Sequence, residues 1–418
     1  MRAFVLCLAV VSGVFCEETP AETLPKCPHI DPYTDLEGWL KLDERKCNHT
    51  TIATGISEEE KKRYDEGSKA FAFDSLASEN LGPSRDIGKQ AHELCEKQNY
   101  DAQLSTSVVV IHHNEALSVL LRMLNGIFAK TPANLLKEIV IYEDASDEEH
   151  QLNGHLEKYG KIKGVSDKLV IARNQYRQGL IRAKVHASRL ATGEVIVFMD
   201  SHCEVADRWL EPLLQPIKEN PKSVVLPVVD LINPVTFEYS KSMVAKSGFD
   251  WGLNFKWIYL PWSYFETEEN HVKPFESPAM SGGLLAIRRD YFKEIGEYDM
   301  GMEIWGSENI ELSLKVWLCG GRVLVAPCSR IGHVFRMRRP YTSKPGMDTA
   351  LYNAVRVAKT WLGDHEKYFI KARPKGAKIM FGDISENVQL KEKLQCKDMK
   401  WFIDNVYPDL KPIVHEEL

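Results

Sequence analysis

The 418-residue sequence lacks the short motifs that identify several common enzyme classes. No GxGxxG follows a predicted strand and no GxxxxGK precedes Ser or Thr, so the usual fingerprints of dinucleotide oxidoreductases and P-loop nucleotidases are missing. HExxH and GxSxG are also absent, and no CxxC pair supports a zinc ribbon or a thioredoxin-like site. The function has to be inferred from residues outside these motifs.

A strong charge bias and a long hydrophobic run are absent as well. Lys and Arg number 53 against 59 Asp and Glu, a net charge of −6, which argues against a general nucleic-acid binder. The apolar run at residues 3–15 is shorter than the ~20 residues that span a bilayer, and no later stretch is long enough. We expect residues 1–16 to be a signal peptide or a short signal-anchor, and the protein to enter the secretory pathway.

Cysteines are few, and their number suits that route. In an oxidising lumen some should pair, and the odd number after the leader leaves at least one thiol free. These seven are Cys27, Cys47, Cys95, Cys203, Cys319, Cys328 and Cys396. Asn48 begins an Asn-His-Thr triplet, an acceptor sequence for N-glycosylation.

The sequence pattern changes near residue 105. Residues 17–104 are polar and contain several prolines and a charge cluster, and we expect a stem or wrapping segment with short helices. Beyond it, short β-branched runs alternate with helical periodicity, and strands are predicted at 108–112, 138–144, 168–172 and 194–200. Apolar strands separated by crossover-length helices predict a parallel sheet covered on both faces, a Rossmann-like α/β fold.

Polar residues follow these strands, where ligands of open α/β sheets bind. The first strand is followed by His113 and Glu115, and the second ends at Asp144. Asp200 ends the fourth strand, and His202 lies two residues further on. A carboxylate and an imidazole suit Mn²⁺, which could bridge a diphosphate. The alternative is a helix-capping Asp beside a solvated His.

A second polar cluster lies between residues 278 and 341. Gly282 and Gly283 allow the backbone to approach a ligand closely. Glu308 and Asn309 are expected in the first turn of a helix, where the helix dipole favours a carboxylate that could orient sugar hydroxyls, although simple capping is also common. His333 offers a third imidazole, and four arginines within 330–339 could bind phosphate or form a solvated face.

Together these segments resemble one family. Residues 107–396 are similar to the catalytic domain of the polypeptide N-acetylgalactosaminyltransferases, enzymes with the GT-A fold that start mucin-type O-glycosylation. The matching stretches are HNEA (113–116), GLIRAK (179–184), FMDSHCE (198–204), FDWGLNFKW (249–257), SGGLLAIRRDYFKEIGEYDMGMEIWGSENIELSLKVWLCGG (281–321) and PCSRIGHVFR (327–336). The resemblance implies a GT-A α/β fold with a mainly parallel central sheet. It also implies transfer of GalNAc from UDP-GalNAc to Ser/Thr of polypeptides with retention of anomeric configuration.

The resemblance further implies roles for individual residues. Metal ligands for Mn²⁺ would be Asp200, His202 and His333. The uridine would lie near His113 and Asp144, and the donor near Arg182. The residues around GalNAc would be Gly283, Trp305, Glu308 and Asn309, with Arg336 and Tyr341 contacting diphosphate from a mobile loop. The implied disulfides are Cys95–Cys328 and Cys319–Cys396, with Cys203 free. Because no carboxylate nucleophile is apparent, a front-face reaction is expected.

Three residues depart from the family pattern. Ile111 replaces a Thr at the uracil, Glu143 replaces an Asp, and Ser307 replaces the second Gly of WGGEN. Loss of one uracil hydrogen bond should cost about 0.5–1.5 kcal/mol, which weakens donor binding without abolishing it. The departures leave two alternatives open: a catalytically silent lumenal relative that binds UDP or glycoproteins, and a transferase with a changed UDP-sugar donor.

The implied organisation is a nucleotide-sugar-binding half at 105–232, an acceptor and catalytic half at 233–345, and a C-terminal helical extension at 346–418. The stretch after Cys396 is too short for the family's β-trefoil lectin domain, which we therefore expect to be lacking. We expect a Golgi lumenal protein, type II membrane-anchored or soluble after leader cleavage. Its partners would be the donor and polypeptide acceptors, with no nucleic acid.

Overall fold

The computed structural model describes residues 27, 29–42, 57–341, 344 and 346–411. The leader at 1–16, Cys47 and the Asn48 sequon lie outside the described residues, so those assignments stay predictions. Within the described part of the chain, every helix is too short or too polar to cross a membrane.

The strands predicted from β-branched runs are present and parallel. They are β1 (Thr106–His112), β2 (Leu136–Glu143), β3 (Leu169–Arg173) and β4 (Val195–Asp200), in the order β4-β1-β2-β3. Their register places Ile111 beside both Tyr142 and Asp200. The carboxyl ends of β1, β2 and β4 therefore meet at one edge of the sheet.

The sheet continues beyond β4 with strands from the second half of the chain. They are β5 (Cys203–Val205), β6 (Ser223–Ile232), β7 (Tyr239–Ser240), β10 (Phe275–Glu276), β11 (Leu285–Arg288) and β12 (Arg322–Val334), with a separate hairpin of β8 (Ala245–Phe249) and β9 (Phe255–Tyr259). The full order is β10-β12-β6-β11-β4-β1-β2-β3, with β5 on β12 and β7 on β6. β12 is parallel to β6, and the short β11 is antiparallel to both β4 and β6. The expected GT-A architecture with a mainly parallel central sheet is confirmed.

Helices cover both faces of this sheet. They are α1 (Leu36–Leu40), α2 (Glu58–Phe71), α3 (Ser75–Asn80), α4 (Leu117–Lys130), α5 (Asn153–Lys163), α6 (Leu180–Ser188), α7 (Glu211–Glu219), α8 (Arg289–Glu294), α9 (Glu308–Leu318), α10 (Thr349–Val357), α11 (Glu366–Ala372), α12 (Ser385–Lys393) and α13 (Met399–Asn405). Successive strand residues point to opposite faces. Val108 belongs to the buried cluster that contains residues of α4, α5 and α7, whereas Val109 belongs to the cluster that contains residues of α6, α9, α10 and α11. This two-sided burial explains why the strands are continuous apolar runs.

Buried ion pairs attach the segment before β1 to this core. Arg122 of α4 donates hydrogen bonds to the carbonyl oxygens of Ser78 (2.9 Å) and Gly82 (3.0 Å), and to Glu204 on β5 (3.0 Å). Arg85, from the same segment, also binds Glu204 (2.8 Å). The segment before β1, which its polar composition predicted to be a stem, thus makes ordered polar contacts with the core.

Both disulfides implied by the resemblance are present. Cys95–Cys328 connects the segment before β1 to β12, and Cys319–Cys396 connects the end of α9 to the chain after α12. Cys203 is a free, buried thiol. Cys27 is also disulfide-bonded.

Replacing Arg122 by Met should destabilise the fold strongly, because it leaves two carbonyl oxygens without a donor and Glu204 with one arginine. We expect the free energy of unfolding in urea to fall by about 3 kcal/mol. Arg189→Met provides a matched control, since Arg189 forms a surface pair with Glu297 (2.6 Å) and should contribute under about 1 kcal/mol. Equal losses in the two variants would contradict the buried role of Arg122.

Candidate active site

A cavity of about 690 Å³ opens at the carboxyl edge of the sheet. Its volume lies within the ~300–1,000 Å³ typical of small-molecule sites. All but one of the site residues implied by the resemblance line it: His113, Asp144, Asp200, His202, Gly283, Trp305, Glu308, Asn309, His333, Arg336 and Tyr341.

Arg182 is the exception. It donates hydrogen bonds to the carbonyl oxygen of Met300 (3.0 Å) and to Glu303 (3.0 Å), and it does not line the cavity. Residues two apart on a helix point in widely different directions. Lys184, two residues further along α6, therefore reaches the cavity instead, and so does Arg177 from the preceding loop. The expected position of Arg182 at the donor is corrected accordingly.

Asp200, His202 and His333 converge on one point. Asp200 ends β4 and His202 follows it, whereas His333 is brought there because β12 pairs antiparallel with β5, which places His333 beside Cys203. One ligand atom from each of the three lies within 4.8 Å of the others, and His333 Nε2 is 3.2 Å from Asp200 Oδ2. One carboxylate and two imidazoles that open into a cavity fit Mn²⁺ with positions left for a substrate.

Charge around Asp200 keeps it ionised. Burial would raise the pKa of this carboxyl, but the hydrogen bond from His333 and the charge of Lys184 outweigh it and hold the pKa below its usual range. The carboxylate form is the one that binds a metal ion.

Glu115, from the HNEA stretch, fixes the loop after β4 that carries His202. Glu115 is 1% exposed, and its carboxylate accepts hydrogen bonds from Ser201 Oγ (2.5 Å), His202 Nδ1 (2.8 Å) and Arg336 Nη2 (2.6 Å). Burial would raise the pKa of Glu115, but the charges of Arg336 and His202 lower it. Because Nδ1 of His202 donates to Glu115, Nε2 is left as the metal-binding atom, the usual second-shell arrangement of a ligating histidine.

Arg336 is thus placed at Glu115, with its guanidinium also 5.4 Å from the ring of Phe73. Sequence patterns identified Arg336 through its arginine cluster and placed Glu115 after the first strand, but they gave Glu115 no role. A carboxylate two residues after His113 at a strand end is the signal that was available for it.

The far side of the cavity is organised by Asp144. Its carboxylate accepts hydrogen bonds from Asn174 Nδ2 (2.7 Å) and from the backbone N–H groups of Gln178 (2.8 Å) and Gly179 (2.7 Å). These bonds order the loop that carries Arg177, whose guanidinium lies 5.4 Å from the ring of Tyr341.

His113 Nδ1 is 2.9 Å from the Asp144 carbonyl oxygen. Burial, and then the charge of Arg177, lower the pKa of His113. A neutral imidazole and a cation therefore line this side, which suits a nucleotide with its phosphates.

The Gly282–Gly283 turn lies against the metal site. Gly282 has a φ of +92°, and a Cβ there would lie 2.9 Å from Asn309 Cβ. A Cβ on Gly283 would lie 2.3 Å from Asp200 Oδ2. The side chain of Asn309 donates to the carbonyl oxygen of Met280 (2.9 Å), just before the turn. Only glycine fits these two positions, which places backbone where a sugar can approach it.

Lys184 supports this turn from the interior. Lys184 is 1% exposed, and its Nζ donates to the carbonyl oxygen of Gly282 (2.8 Å). Its charge also favours the ionised forms of Asp200 and Glu308. Glu308 accepts from the backbone N–H of Gly306 (2.7 Å), and burial raises its pKa. Sequence patterns missed Lys184 because a lysine within an amphipathic helix ordinarily faces solvent.

Two of the three departures from the family pattern face the cavity. Ile111 and Ser307 line it, and Ser307 has a φ of +65°, a conformation that favours glycine. Glu143 does not line it: burial raises its pKa, and Arg173 lies 3.5 Å away on β3. Of the three departures, Glu143 is thus buried away from the cavity, whereas Ile111 and Ser307 border the space for a ligand.

Glu115→Gln should weaken metal binding, because the amide loses the charge that orients His202. In calorimetric titrations with Mn²⁺ in the presence of UDP, we expect the dissociation constant to rise about 10- to 100-fold. Glu138→Gln is the matched control: Glu138 is also buried and accepts from Thr192 Oγ1 (2.6 Å), but at the opposite ends of the strands. An unchanged Mn²⁺ affinity in Glu115→Gln would contradict this role.

Lys184→Met should weaken binding of the sugar part of the expected donor more than it weakens binding of UDP, because Lys184 fixes the carbonyl of Gly282. A hydrogen bond from a charged group is worth about 1.5–3 kcal/mol, so the ratio of the dissociation constants of UDP-GalNAc and UDP should rise about tenfold or more. Lys184→Arg should restore part of it. Lys315→Met, which removes another fully buried lysine, paired with Glu311 (2.8 Å), should leave that ratio unchanged although it destabilises the fold.

Two family models match stretches of the chain that contain the three proposed metal ligands. The family model described as glycosyl transferase family 2 matches residues 107–296, and the model described as the N-terminal domain of galactosyltransferase matches residues 265–340. A crystal structure of GalNAc-T7 with UDP, GalNAc and Mn²⁺ has a TM-score of 0.78 and 35% sequence identity. The match covers 85% of this chain and 66% of that one.

Curated relatives are similar over most of the chain. The probable N-acetylgalactosaminyltransferase 8 of Caenorhabditis elegans is 72% identical over the whole of both chains. Polypeptide N-acetylgalactosaminyltransferase 11 of Xenopus tropicalis is 43% identical over 92% of this chain and 64% of its own length. An inactive polypeptide N-acetylgalactosaminyltransferase-like protein 5 of Macaca fascicularis is 41% identical over 82% of this chain and 77% of its own. The chain belongs to the polypeptide N-acetylgalactosaminyltransferase family.

Proposed function

We propose that the protein transfers GalNAc from UDP-GalNAc to Ser and Thr hydroxyls of polypeptides, with retention of anomeric configuration. The observation that carries the proposal is the convergence of three elements in one cavity. These are the Asp200-His202-His333 triad, the Gly282–Gly283 turn and the Glu308–Asn309 helix start. Their combination provides sites for a metal ion, a diphosphate and a sugar side by side.

Different residues would bind the diphosphate, the uridine and the sugar of the donor. Asp200, His202 and His333 would bind Mn²⁺, which when bound neutralises negative charge on the diphosphate leaving group. Arg177 lines the same cavity on the side of His113 and Asp144, where the uridine would lie. Trp305, 42% exposed at the cavity wall, would cover the sugar.

The chain's own residues would orient the sugar rather than attack it. Glu308 is engaged by the Gly306 N–H and by the nearby charge of Lys184, and Asn309 is engaged by the Met280 carbonyl. We infer a front-face reaction in which the leaving phosphate oxygen accepts the proton of the acceptor hydroxyl. In this scheme Lys184 and Asn309 fix the turn against which GalNAc rests.

A second cavity next to the first, which we call the acceptor groove, suits a polypeptide acceptor. This cavity of about 280 Å³ shares Trp257, Ser281 and Phe335 with the first, and Tyr259 lines it as well. Trp257, Tyr259 and Phe335 are 39%, 62% and 40% exposed. Exposed aromatic side chains that border a reaction cavity provide contact area for an extended peptide.

We place this activity in the Golgi lumen, with membrane association through the N-terminus or release after leader cleavage. The disulfides Cys95–Cys328 and Cys319–Cys396 support an oxidising compartment. The apolar run at residues 3–15 supports entry into the secretory pathway.

A silent relative is the second candidate function. Two observations favour it: Ile111 and Ser307 border the ligand space, and one relative of comparable identity is named inactive. The metal triad and Lys184 are nevertheless in place. Turnover of UDP-GalNAc, rather than UDP binding, distinguishes the two functions.

Purified protein with Mn²⁺ and UDP-GalNAc should release UDP and add one HexNAc to Ser/Thr peptides, as mass spectrometry would detect. Asp200→Ala should reduce the rate about a thousandfold or more, because the diphosphate charge is no longer neutralised. Asp207→Ala, which removes a carboxylate that is 65% exposed, should retain activity.

A panel of UDP-sugars run beside UDP-GalNAc tests the donor. Faster turnover of another UDP-sugar would replace the proposed donor. No transfer across a broad peptide panel by folded protein that binds UDP would establish the silent relative instead.

A further inference from the structure

A cluster of basic side chains, the basic rim, borders the cavity beside the β8–β9 hairpin. It comprises Lys367 and Lys371 on α11, Arg373 between the two helices, and Lys375 and Lys378 on the 3-10 helix Pro374–Lys378. Arg373 lines the cavity and donates to the carbonyl oxygen of Gly252 (3.5 Å) in the hairpin turn. Because the hairpin also contributes Leu253 and Asn254 to the cavity, the rim is continuous with its wall.

Aromatic packing fixes the rim against the hairpin. The ring of Trp251 lies 5.8 Å from that of His365 and 5.0 Å from that of Tyr368. Phe369 of α11 is fully buried in the core beneath. The basic side chains therefore project from a supported surface.

The charge of the rim is largely uncompensated. Lys371, Lys375 and Lys378 are exposed, and none forms an ion pair with a described residue. Of the two acidic residues between 359 and 378, Glu366 pairs with Lys359 (2.7 Å) and Asp364 is exposed, so the five basic side chains outnumber them. This positive surface stands out on a chain whose net charge is −6.

Position relates the rim to the acceptor groove. The same hairpin carries Gly252 against the rim at its turn and Trp257 in the groove on β9. An extended residue spans about 3.3 Å, and Gly252 and Trp257 are five residues apart on one hairpin, so the rim lies within a few residues' reach of a hydroxyl in the cavity. Like a charged interface, the rim would select and steer partners of opposite charge.

We propose that the basic rim binds acidic residues flanking the acceptor Ser or Thr, so that the preferred substrates are acidic polypeptides. The proposal rests on the proposed transferase function. It names a substrate class that the cavity itself does not determine.

The test uses four peptides with the same acceptor Thr. Two have Glu residues on one side of the Thr, either N-terminal or C-terminal, and the other two have Gln or Lys in place of these Glu residues. KM and kcat are measured for wild type and for the double variant K371E/K375E. In wild type we expect one of the two Glu peptides to have a KM about three- to tenfold below that of the Gln peptide. The kcat values of these two peptides should be similar. K371E/K375E should abolish or reverse the difference in KM.

The matched control is K161E/K163E, which reverses two exposed lysines on α5, on the opposite face of the sheet. Its KM ratio should equal that of wild type. Raising the salt concentration should reduce the preference, because exposed charges are screened beyond about 10 Å at 0.1 M. Equal KM values for Glu and Gln peptides, or the same loss in both double variants, would overturn the proposal.

Binding separates this proposal from the transferase function. Fluorescence anisotropy of the labelled peptides with UDP and Mn²⁺ requires no turnover. If no peptide is glycosylated, the transferase function fails. Tighter binding of the Glu peptide that K371E/K375E removes would still support the rim, whereas charge-independent binding would overturn it.

Discussion

The burial of one negative charge, the carboxylate of Glu115, determines how the site is assembled. An unpaired buried charge is strongly destabilising, so the donors around it are fixed by the requirement to satisfy it. They come from the loop after β4, through Ser201 and His202, and from the end of β12, through Arg336. Three chain segments distant in sequence thereby meet at one point, and the metal-binding imidazole receives its orientation from a residue that does not bind metal.

A second charge balance supports the sugar side. Asp200 and Glu308 are both carboxylates at the cavity, and Lys184 compensates them while it fixes the carbonyl of Gly282. The glycines leave no space for another residue type, because Asp200 and Asn309 are already in contact range. Metal site and sugar turn are thus parts of one packed structure, and a change at Lys184 acts on both.

Local pattern predicted the elements whose determinants are local. β-branched runs indicated β1 to β4, and Glu308 and Asn309 were expected in the first turn of the helix that is α9. Asp200 and His202 could be predicted as site residues because the end of a strand fixes where the polar residues at that end lie. The contributions of Glu115, Lys184 and Arg177 could not, since each depends on partners that only the tertiary fold brings near. Arg182 shows the limit clearly: α6 presents Lys184 inward and Arg182 outward, and sequence spacing does not say which face is buried. Family resemblance supplied His333, whose placement depends on the β5–β12 pairing.

We propose that Asp200, His202 and His333 form a metal site that binds the diphosphate of a nucleotide sugar. Anomalous diffraction at the manganese edge from crystals grown with Mn²⁺ and UDP would locate the ion. We expect one strong peak within bonding distance of these three residues, in contact with the UDP diphosphate. UDP bound in the cavity with no peak at that position, or with manganese held by other residues, would contradict it.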